Sequence, residues 1–220
     1  MSAGQTGVAV VVEKTEQPRV RNPRGEGQRL RQEILDAAGR LLEESGQPGA
    51  VSLRAIAREA GVTSAAVYKQ FKDKSELMWV LLDDVYATLA EEMRAARLAA
   101  PADDPWAGLI AAMDAYCRHA LDSPRRYELL FHTGPALPPP ERTGRHPMSR
   151  LLRAWRQAVT PCVDEDDGRV GPLTADRVAK LLWTGLHGQF GLWRNAPEAI
   201  DETELRALRD SLLFALFGRC

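Results

Sequence analysis

Apolar residues recur at spacings of three and four along almost the whole chain from about residue 27 onward. This period places them on one face of successive α-helices. No stretch shows the alternation of apolar and polar residues that marks a β-strand. The 220 residues are enough to bury a sizeable core, and the pattern therefore predicts an all-α fold. In the first predicted helix the buried face consists of Leu30, Ile34, Leu35, Ala38, Leu41 and Leu42.

Glycine and proline residues divide this pattern into about nine predicted helices. Two connecting segments are predicted to be loops: residues 134–146, which contain four prolines, and residues 161–173, which are acidic. The predicted helices cover approximately residues 27–45, 53–60, 64–70, 73–100, 105–122, 124–132, 147–159, 174–194 and 201–218.

Residues 1–25 lack this periodicity and are rich in Gly, Gln, Pro and Arg, a composition that predicts disorder. Two interpretations remain open for this segment. It is either a solvated tail or a basic arm in which Arg19, Arg21 and Arg24 lie along DNA, for example in the minor groove.

Three helix starts follow one another closely in residues 51–77, which read VSLRAIAREAGVTSAAVYKQFKDKSEL. Ser52, Thr63 and Asp73 each precede a predicted helix, where a side-chain oxygen accepts a hydrogen bond from a free backbone amide. Glu76 stands three residues after Asp73, which is the spacing of a capping box. The chain therefore encodes its helix boundaries locally in this region.

A short turn containing Gly61 joins the second and third of these helices, and its length is about that of a helix-turn-helix motif. The third helix is only about seven residues long, and Val67 and Phe71 form its apolar side. A helix anchored in this way suits insertion into the major groove of DNA. Its small or polar side chains are Ser64, Ala65, Ala66, Lys69 and Gln70.

This segment resembles the recognition-helix region of the TetR family of transcriptional regulators. The resemblance covers residues 28–81 and is carried by Gly61, Val62, Thr63, Tyr68, Phe71 and Lys74. It implies a DNA-binding domain over residues 26–73, in which Tyr68 and Lys74 bind phosphates. Gln70 stands where the family most often has His; Gln also pairs with adenine edges, so this departure affects the operator sequence. The predicted DNA-binding residues are Ser52, Arg54, Thr63, Ser64, Ala65, Ala66, Tyr68, Lys69, Gln70 and Lys74.

The C-terminal part, residues 74–220, carries a second, shorter likeness. Its segment LLWTGLHGQFGLW is similar to the W-x-x-x-H-G signature of one class of TetR C-terminal domains. Trp183 and His187 are four residues apart and share a helical face, while Gly185 and Gly188 allow another helix to approach closely. The family resemblance implies that the last two helices form a homodimer interface. His187 is either a hydrogen-bonded core histidine or a ligand contact.

Aromatic residues cluster in the middle helices, where they form either core or the wall of an apolar pocket between helices. A pocket with few charges favours an uncharged or lipophilic effector. The candidate ligand-binding residues are Trp106, Met113, Tyr116, Tyr127, Phe131, Trp155, Trp183 and His187.

The charge distribution fits a nucleic-acid-binding end. Residues 1–74 carry a net charge of +3 and the remainder −4, within a total of −1. Cys117, Cys162 and Cys220 are widely spaced and form no CxxC pair, so neither a zinc site nor a disulfide framework is predicted. The acidic run 164–168 lacks the first ligand of an EF-hand, because Val163 stands at that position.

Other function classes find little support. The chain has no HExxH, GxSxG, Walker or dinucleotide-binding motif, and Glu128 with His132 and His119 makes too small a set for a metal or acid–base site. We therefore expect no enzyme, no metal and no cofactor. No run approaches the roughly 18 apolar residues of a membrane span. The apolar run 8–12 is too short for a signal peptide, so we expect a cytoplasmic protein without a membrane partner.

The sequence thus predicts a homodimeric repressor that a small effector releases from a palindromic operator in double-stranded DNA. Two alternatives remain open at this point. One is a transcriptional activator of the same fold, and the other is a helical ligand-binding protein without a DNA function.

Overall fold

A computed structural model describes residues 26–45, 51–132, 146–165, 170–193 and 201–218. Within these ranges the chain forms nine helices and no strand, which confirms the all-α prediction. The proposed basic arm, Cys220 and most of the predicted proline-rich loop lie outside the described residues. The helices are α1 (Glu26–Ser45), α2 (Leu53–Glu59), α3 (Ser64–Gln70), α4 (Lys74–Ala99), α5 (Pro105–Asp122), α6 (Pro124–His132), α7 (Met148–Asp164), α8 (Ala175–Trp193) and α9 (Glu202–Phe217).

Helices α1, α2 and α3 pack against one another around a small apolar core. Ile34 and Ala38 of α1 are fully buried, as are Ile56 of α2 and Val67 of α3. The small side chain of Ala57, also buried, keeps α2 close to its neighbours. This core supports α3 from one side only and leaves its other side uncovered.

Helix α4 connects this three-helix unit to the remaining helices. It has 26 residues and packs most extensively against α5 and α7, so at 1.5 Å per residue it spans roughly 40 Å. Leu77 near its start and Met93 near its end are both buried. The same rigid element therefore contributes to the packing at both ends of the molecule.

The core of the larger part lies between α4, α5, α7 and α8, with α9 packed against α5 and α8. Trp155 of α7 and Tyr116 of α5 are fully buried at its centre, and their ring centroids lie 5.3 Å apart. Leu89, Leu109 and Leu182 are also completely buried. Apolar burial on this scale is the main stabilising contribution to the fold.

Helix α7 is longer than the sequence pattern predicts. The helix was expected to end at about residue 159, but it continues through Pro161 to Asp164. Proline lacks the amide that an interior helical position donates and normally disfavours such continuation. Here Val159 and Cys162 are both fully buried, and the Cys162 thiol lies 3.3 Å from the Pro105 carbonyl oxygen. Tertiary packing therefore keeps the last turn of α7 helical.

Candidate functional site

The turn between α2 and α3 has the geometry of a Schellman motif. Gly61 adopts a left-handed conformation with φ +66°, and its amide donates to the Arg58 carbonyl at 3.2 Å. The Val62 amide donates to the Ala57 carbonyl at 2.9 Å. These two bonds satisfy carbonyls at the end of α2 and turn the chain directly into α3. A residue with a Cβ atom is strained at this φ, which explains the glycine.

Three predicted caps are present at the helix starts. The Ser52 hydroxyl accepts from the Ala55 amide at 3.1 Å, and the Thr63 hydroxyl accepts from the Ala66 amide at 3.2 Å. At α4, an Asp73 carboxylate oxygen accepts from the Glu76 amide at 2.8 Å. The Glu76 carboxylate reaches one residue further back than in a standard capping box and accepts from the Lys72 amide at 2.8 Å.

Helix α3 presents most of its side chains outward. Val67 and Phe71 are buried and anchor it, whereas the side chain of Tyr68 is 57% exposed. Lys69 and Ala65 are exposed as well. The half-buried members of the predicted set are Ser64, Ala66, Gln70 and Lys74, and the remaining exposed ones are Ser52, Arg54 and Thr63.

Sequence reasoning missed Arg31 of α1. Its guanidinium donates to the backbone carbonyl of Gln70, at the last residue of α3, and lies 4.1 Å from the centroid of the Phe71 ring. It also lies 3.8 Å from a carboxylate oxygen of Glu76. Arg31 thereby joins α1, α3 and α4. The only sign of this role in the sequence is that Arg31 lies beside the apolar face of α1. Many solvated arginines occupy such a position, so the sign is not specific.

A chain of polar side chains lies inside the larger part of the molecule. The Trp183 indole donates to the Tyr116 hydroxyl at 3.0 Å, and the hydroxyls of Tyr116 and Tyr127 lie 2.5 Å apart. Nδ1 of His187 is 2.8 Å from the Tyr127 hydroxyl and 3.1 Å from that of Tyr116. The structure thus brings four predicted ligand residues together, from α5, α6 and α8.

Burial determines the protonation states of these polar side chains. It lowers the pKa of His187 to about 4, and it raises the pKa values of Tyr116 and Tyr127 well above the usual range. The imidazole is therefore neutral at neutral pH. In the neutral tautomer with the proton on Nε2, Nδ1 accepts a hydrogen bond from a tyrosine hydroxyl, while the Trp183 indole donates at the other end of the network.

An open groove lies beside this polar chain, between α5, α6 and α8. Its volume is about 170 Å³. Four aromatic side chains form most of its wall: Tyr127, Phe131, Phe190 and Trp193. Ala120 and Pro124 complete the apolar part, and Arg125 and Glu128 are the charged residues that line it.

The predicted ligand residues separate into four locations: the polar network of Tyr116, Tyr127, Trp183 and His187, the groove, the core and a contact with α9. Tyr127 and Phe131 line the groove, and the Phe131 ring stacks on His187 with 4.0 Å between centroids. Met113 and Trp155 are fully buried in the core. Trp106 packs edge-on against Phe217 of α9, 4.8 Å between centroids, and does not line the groove.

Helices α8 and α9 each carry exposed apolar side chains. Leu192 is 73% exposed, Leu181 is 44% exposed and Phe214 is 60% exposed. Gly188 lies between the two leucines at helical spacing, and a Cβ atom placed there would meet nothing within 4 Å. At Gly185 a Cβ atom would lie 3.0 Å from Leu212, so this glycine permits the close approach of α9.

No three His, Cys, Asp or Glu side chains in the described ranges are grouped so that they could hold a metal ion. Cys117 and Cys162 are buried free thiols. None of the helices that the structure describes combines the length and the apolar character needed to cross a membrane.

The fold and the exposed α3 define a DNA-binding protein of the helix-turn-helix class. Comparison with known proteins agrees with this class. The model of the N-terminal domain of bacterial regulatory proteins of the tetR family matches residues 34–78. The model of a tetracyclin repressor-like C-terminal domain matches residues 109–215.

The chain is 33% identical over 177 residues to the HTH-type transcriptional regulator Rv1816 of Mycobacterium tuberculosis, a match that covers 79% of this chain and 74% of that protein. The chain belongs to the TetR family of transcriptional regulators, which confirms the resemblance seen in the sequence. The relatives are named as regulators, which are not enzymes.

Solved structures share the whole fold. A protein of unknown function from Rhodococcus sp. RHA1 is similar with a TM-score of 0.67 and 26% identity, over 92% of this chain and 100% of that one. NalD, the secondary repressor of the MexAB-OprM multidrug efflux pump in Pseudomonas aeruginosa, is similar with a TM-score of 0.60 and 24% identity, over 87% and 98% of the two chains.

Proposed function

We propose that this TetR-family regulator is a homodimeric repressor that a small, mainly apolar effector releases from a palindromic operator. The observation that carries the DNA-binding part is the presentation of α3. Only Val67 and Phe71 anchor this helix, while Tyr68 and Lys69 face outward. Insertion into a major groove requires such a surface.

In this proposal residues 26–73 form the DNA-binding domain and residues 74–220 the ligand-binding and dimerisation domain. Tyr68 and Lys74 bind phosphates, which fix the register of the protein on the duplex. The hydroxyls of Ser52 and Thr63 already cap α2 and α3. These two residues therefore act at the DNA interface by positioning the helices that they cap. The other proposed contacts to bases or backbone are Arg54, Ser64, Ala65, Ala66, Lys69 and Gln70.

The homodimer uses the uncovered surface of α8 and α9. Leu181 and Leu192 lie on one face of α8 with the open position of Gly188 between them, and Phe214 is exposed on α9. An isolated chain rarely leaves such side chains together on one face, and a second copy of the chain buries them. The dimer then presents two α3 helices about 34–36 Å apart, one turn of DNA, or over a longer span.

Helix α6 connects the proposed effector site to the DNA-binding domain. Tyr127 and Phe131 on α6 line the groove, and Arg126, which directly precedes Tyr127, forms an ion pair with Glu43 of α1 at 3.1 Å. Gly39 of α1 lets this arginine approach closely, since a Cβ atom there would lie 3.4 Å from its guanidinium. An effector that favours another position of α6 therefore acts on α1 as well.

We propose that the protein represses transcription rather than activates it. The description of the structurally similar NalD as a repressor supports this direction of regulation. Because a transcriptional regulator acts on chromosomal DNA, we also propose a cytoplasmic location. We propose no catalytic activity and no cofactor.

The test is DNA-site selection with purified full-length protein, followed by binding titrations on the selected duplex. We expect a palindromic site and an affinity that falls steeply with salt. The double variant Tyr68→Phe, Lys74→Ala should weaken binding, and the lost charge of Lys74 should lower the slope of log K against log salt by about 0.9. Lys180→Ala, an exposed lysine of α8, is the matched control. Unchanged affinity in the double variant would disprove this docking scheme.

A further inference from the structure

We propose that the groove between α5, α6 and α8 binds a small molecule with a flat aromatic body and one negatively charged group. This inference rests on the proposed effector-sensing function and specifies the chemistry of the effector. It follows from the polar side chains that remain available to a ligand in the groove.

The wall of the groove is apolar. Tyr127 directs its hydroxyl to the interior, where it lies 2.5 Å from the Tyr116 hydroxyl and 2.8 Å from Nδ1 of His187. Only its ring is therefore available to a ligand. The ring centroids of Tyr127 and Phe190 lie 5.0 Å apart, and those of Phe190 and Trp193 lie 6.3 Å apart. Adjacent rings of this kind favour a flat aromatic body that packs against them.

One charged side chain of the groove is uncompensated. Glu128 already has an interaction partner. Arg125 is exposed, and no acidic group of the described residues forms an ion pair with it, whereas the neighbouring Arg126 is paired with Glu43 at 3.1 Å. Arg125 stands at the second residue of α6. The partial positive charge of the first helical turn adds to that of its guanidinium.

The aromatic wall of the groove and the uncompensated Arg125 together define the class of ligand that we propose. The aromatic rings supply most of the contact area, and the Arg125 guanidinium pairs with a carboxylate or sulfonate on the edge of the ligand. A cationic aromatic ligand is disfavoured, because Arg125 repels it and Glu128 is already engaged.

The experiment compares two fluorescent probes on the full-length protein. 8-Anilino-1-naphthalenesulfonate and N-phenyl-1-naphthylamine share one aromatic body and differ by the sulfonate. We expect the sulfonate probe to bind about three- to tenfold more tightly. Arg125→Gln should remove this preference and leave binding of the neutral probe unchanged. Arg153→Gln, an exposed arginine of α7, should keep the preference.

Trp193→Ala locates the probes, because it removes one aromatic wall and should weaken both of them. Equal affinity of the two probes for the unaltered protein would overturn the anionic class. Preference retained in Arg125→Gln would overturn the role of Arg125, and binding that is insensitive to Trp193→Ala would place the probe outside the groove.

A third probe, 1-naphthylmethylammonium, addresses the cationic alternative. Tighter binding of this cation than of the sulfonate probe would overturn the proposal. The proposed regulatory function is tested separately by titrating the selected DNA duplex without probe. Loss of DNA binding and loss of the probe preference are therefore distinguishable results.

Discussion

The guanidinium of Arg31 lies 4.1 Å from the centroid of the Phe71 ring, so a residue of α1 covers one of the two side chains that anchor α3. The same guanidinium donates to the carbonyl of Gln70, at the end of α3. Sequence separation of 39 residues makes this a tertiary contact. Arg31 therefore holds the end of α3 against α1 and is expected to position that helix.

The substitution Arg31→Ala tests this positioning role. Loss of the cation–π contact and of the charge-assisted hydrogen bond should cost about 1–2 kcal/mol of unfolding free energy. It should also lower the preference for the selected duplex over a random duplex by about three- to tenfold. Denaturation and fluorescence anisotropy measure the two effects.

Two other variants, Arg31→Lys and Arg40→Ala, test whether the effect of Arg31→Ala is specific to this side chain. Arg31→Lys keeps the charge but not the planar group that stacks on Phe71, so an intermediate loss is expected. Arg40→Ala removes another arginine of α1, which pairs at 2.8 Å with Glu59 of α2 rather than with α3. An equal loss of sequence preference in Arg40→Ala would contradict a specific role for Arg31.

Thr63 and Ser64 are adjacent in sequence but have different predicted roles. The Thr63 hydroxyl caps α3, so Thr63→Ala should lower the unfolding free energy by about 1 kcal/mol. Ser64→Ala should change stability by less than about 0.5 kcal/mol and act mainly on DNA affinity. Urea denaturation and DNA titration of both variants check this division. A stability loss at Ser64 as large as at Thr63 would refute it.

Phe214 is predicted to lie in the dimer interface. Phe214→Glu places a charge in the proposed interface of α8 and α9 and should weaken dimerisation at least about tenfold. Analytical ultracentrifugation at several concentrations measures this shift. Leu98→Glu is the matched control, because Leu98 on α4 is 58% exposed and Phe214 is 60% exposed. If both variants dissociated equally, the interface would lie elsewhere.

His187 should make stability depend on pH. Its pKa is about 4 in the folded protein, against 6.5 for an unperturbed histidine. The unfolded chain therefore binds more protons as pH falls below 6.5, and stability is lost progressively between pH 6.5 and pH 4. Between pH 7.5 and pH 5 this loss should be about 1–2 kcal/mol.

The variant His187→Gln isolates this effect, because glutamine accepts a hydrogen bond but does not titrate in this range. Urea denaturation of both proteins at fixed protein concentration gives the difference between the two pH profiles. Identical profiles for the two proteins would show that His187 is protonated alike in the folded and unfolded states.

The N-terminal helices were predictable because their boundaries are encoded locally. Ser52, Thr63 and Asp73 cap the helices that follow them, and each acts within three residues of its own position. The family could be inferred for the same reason, since its most specific motif is continuous in sequence.

Features that depend on long-range packing were not predictable in the same way. The end of α7 was placed too early because the proline signal at Pro161 is local, whereas the burial of Cys162 that overrides it comes from other helices. Among the aromatic residues, the sequence indicates only that they are apolar. It does not show that Trp106 packs on Phe217 while Phe131 lines a groove, since helix packing decides which rings border empty space.

The narrow anchorage of α3 has an evolutionary consequence. Six of its seven residues lie outside the buried core, because Val67 within the helix and Phe71 directly after it attach α3 to the protein. Under the proposed docking scheme, exchanges at Ser64, Ala65 or Lys69 after gene duplication redirect one copy to new promoters while both copies keep a similar folding stability. Target choice and structural integrity are then inherited through different residues, so such regulators diversify without passing through unfolded ancestors.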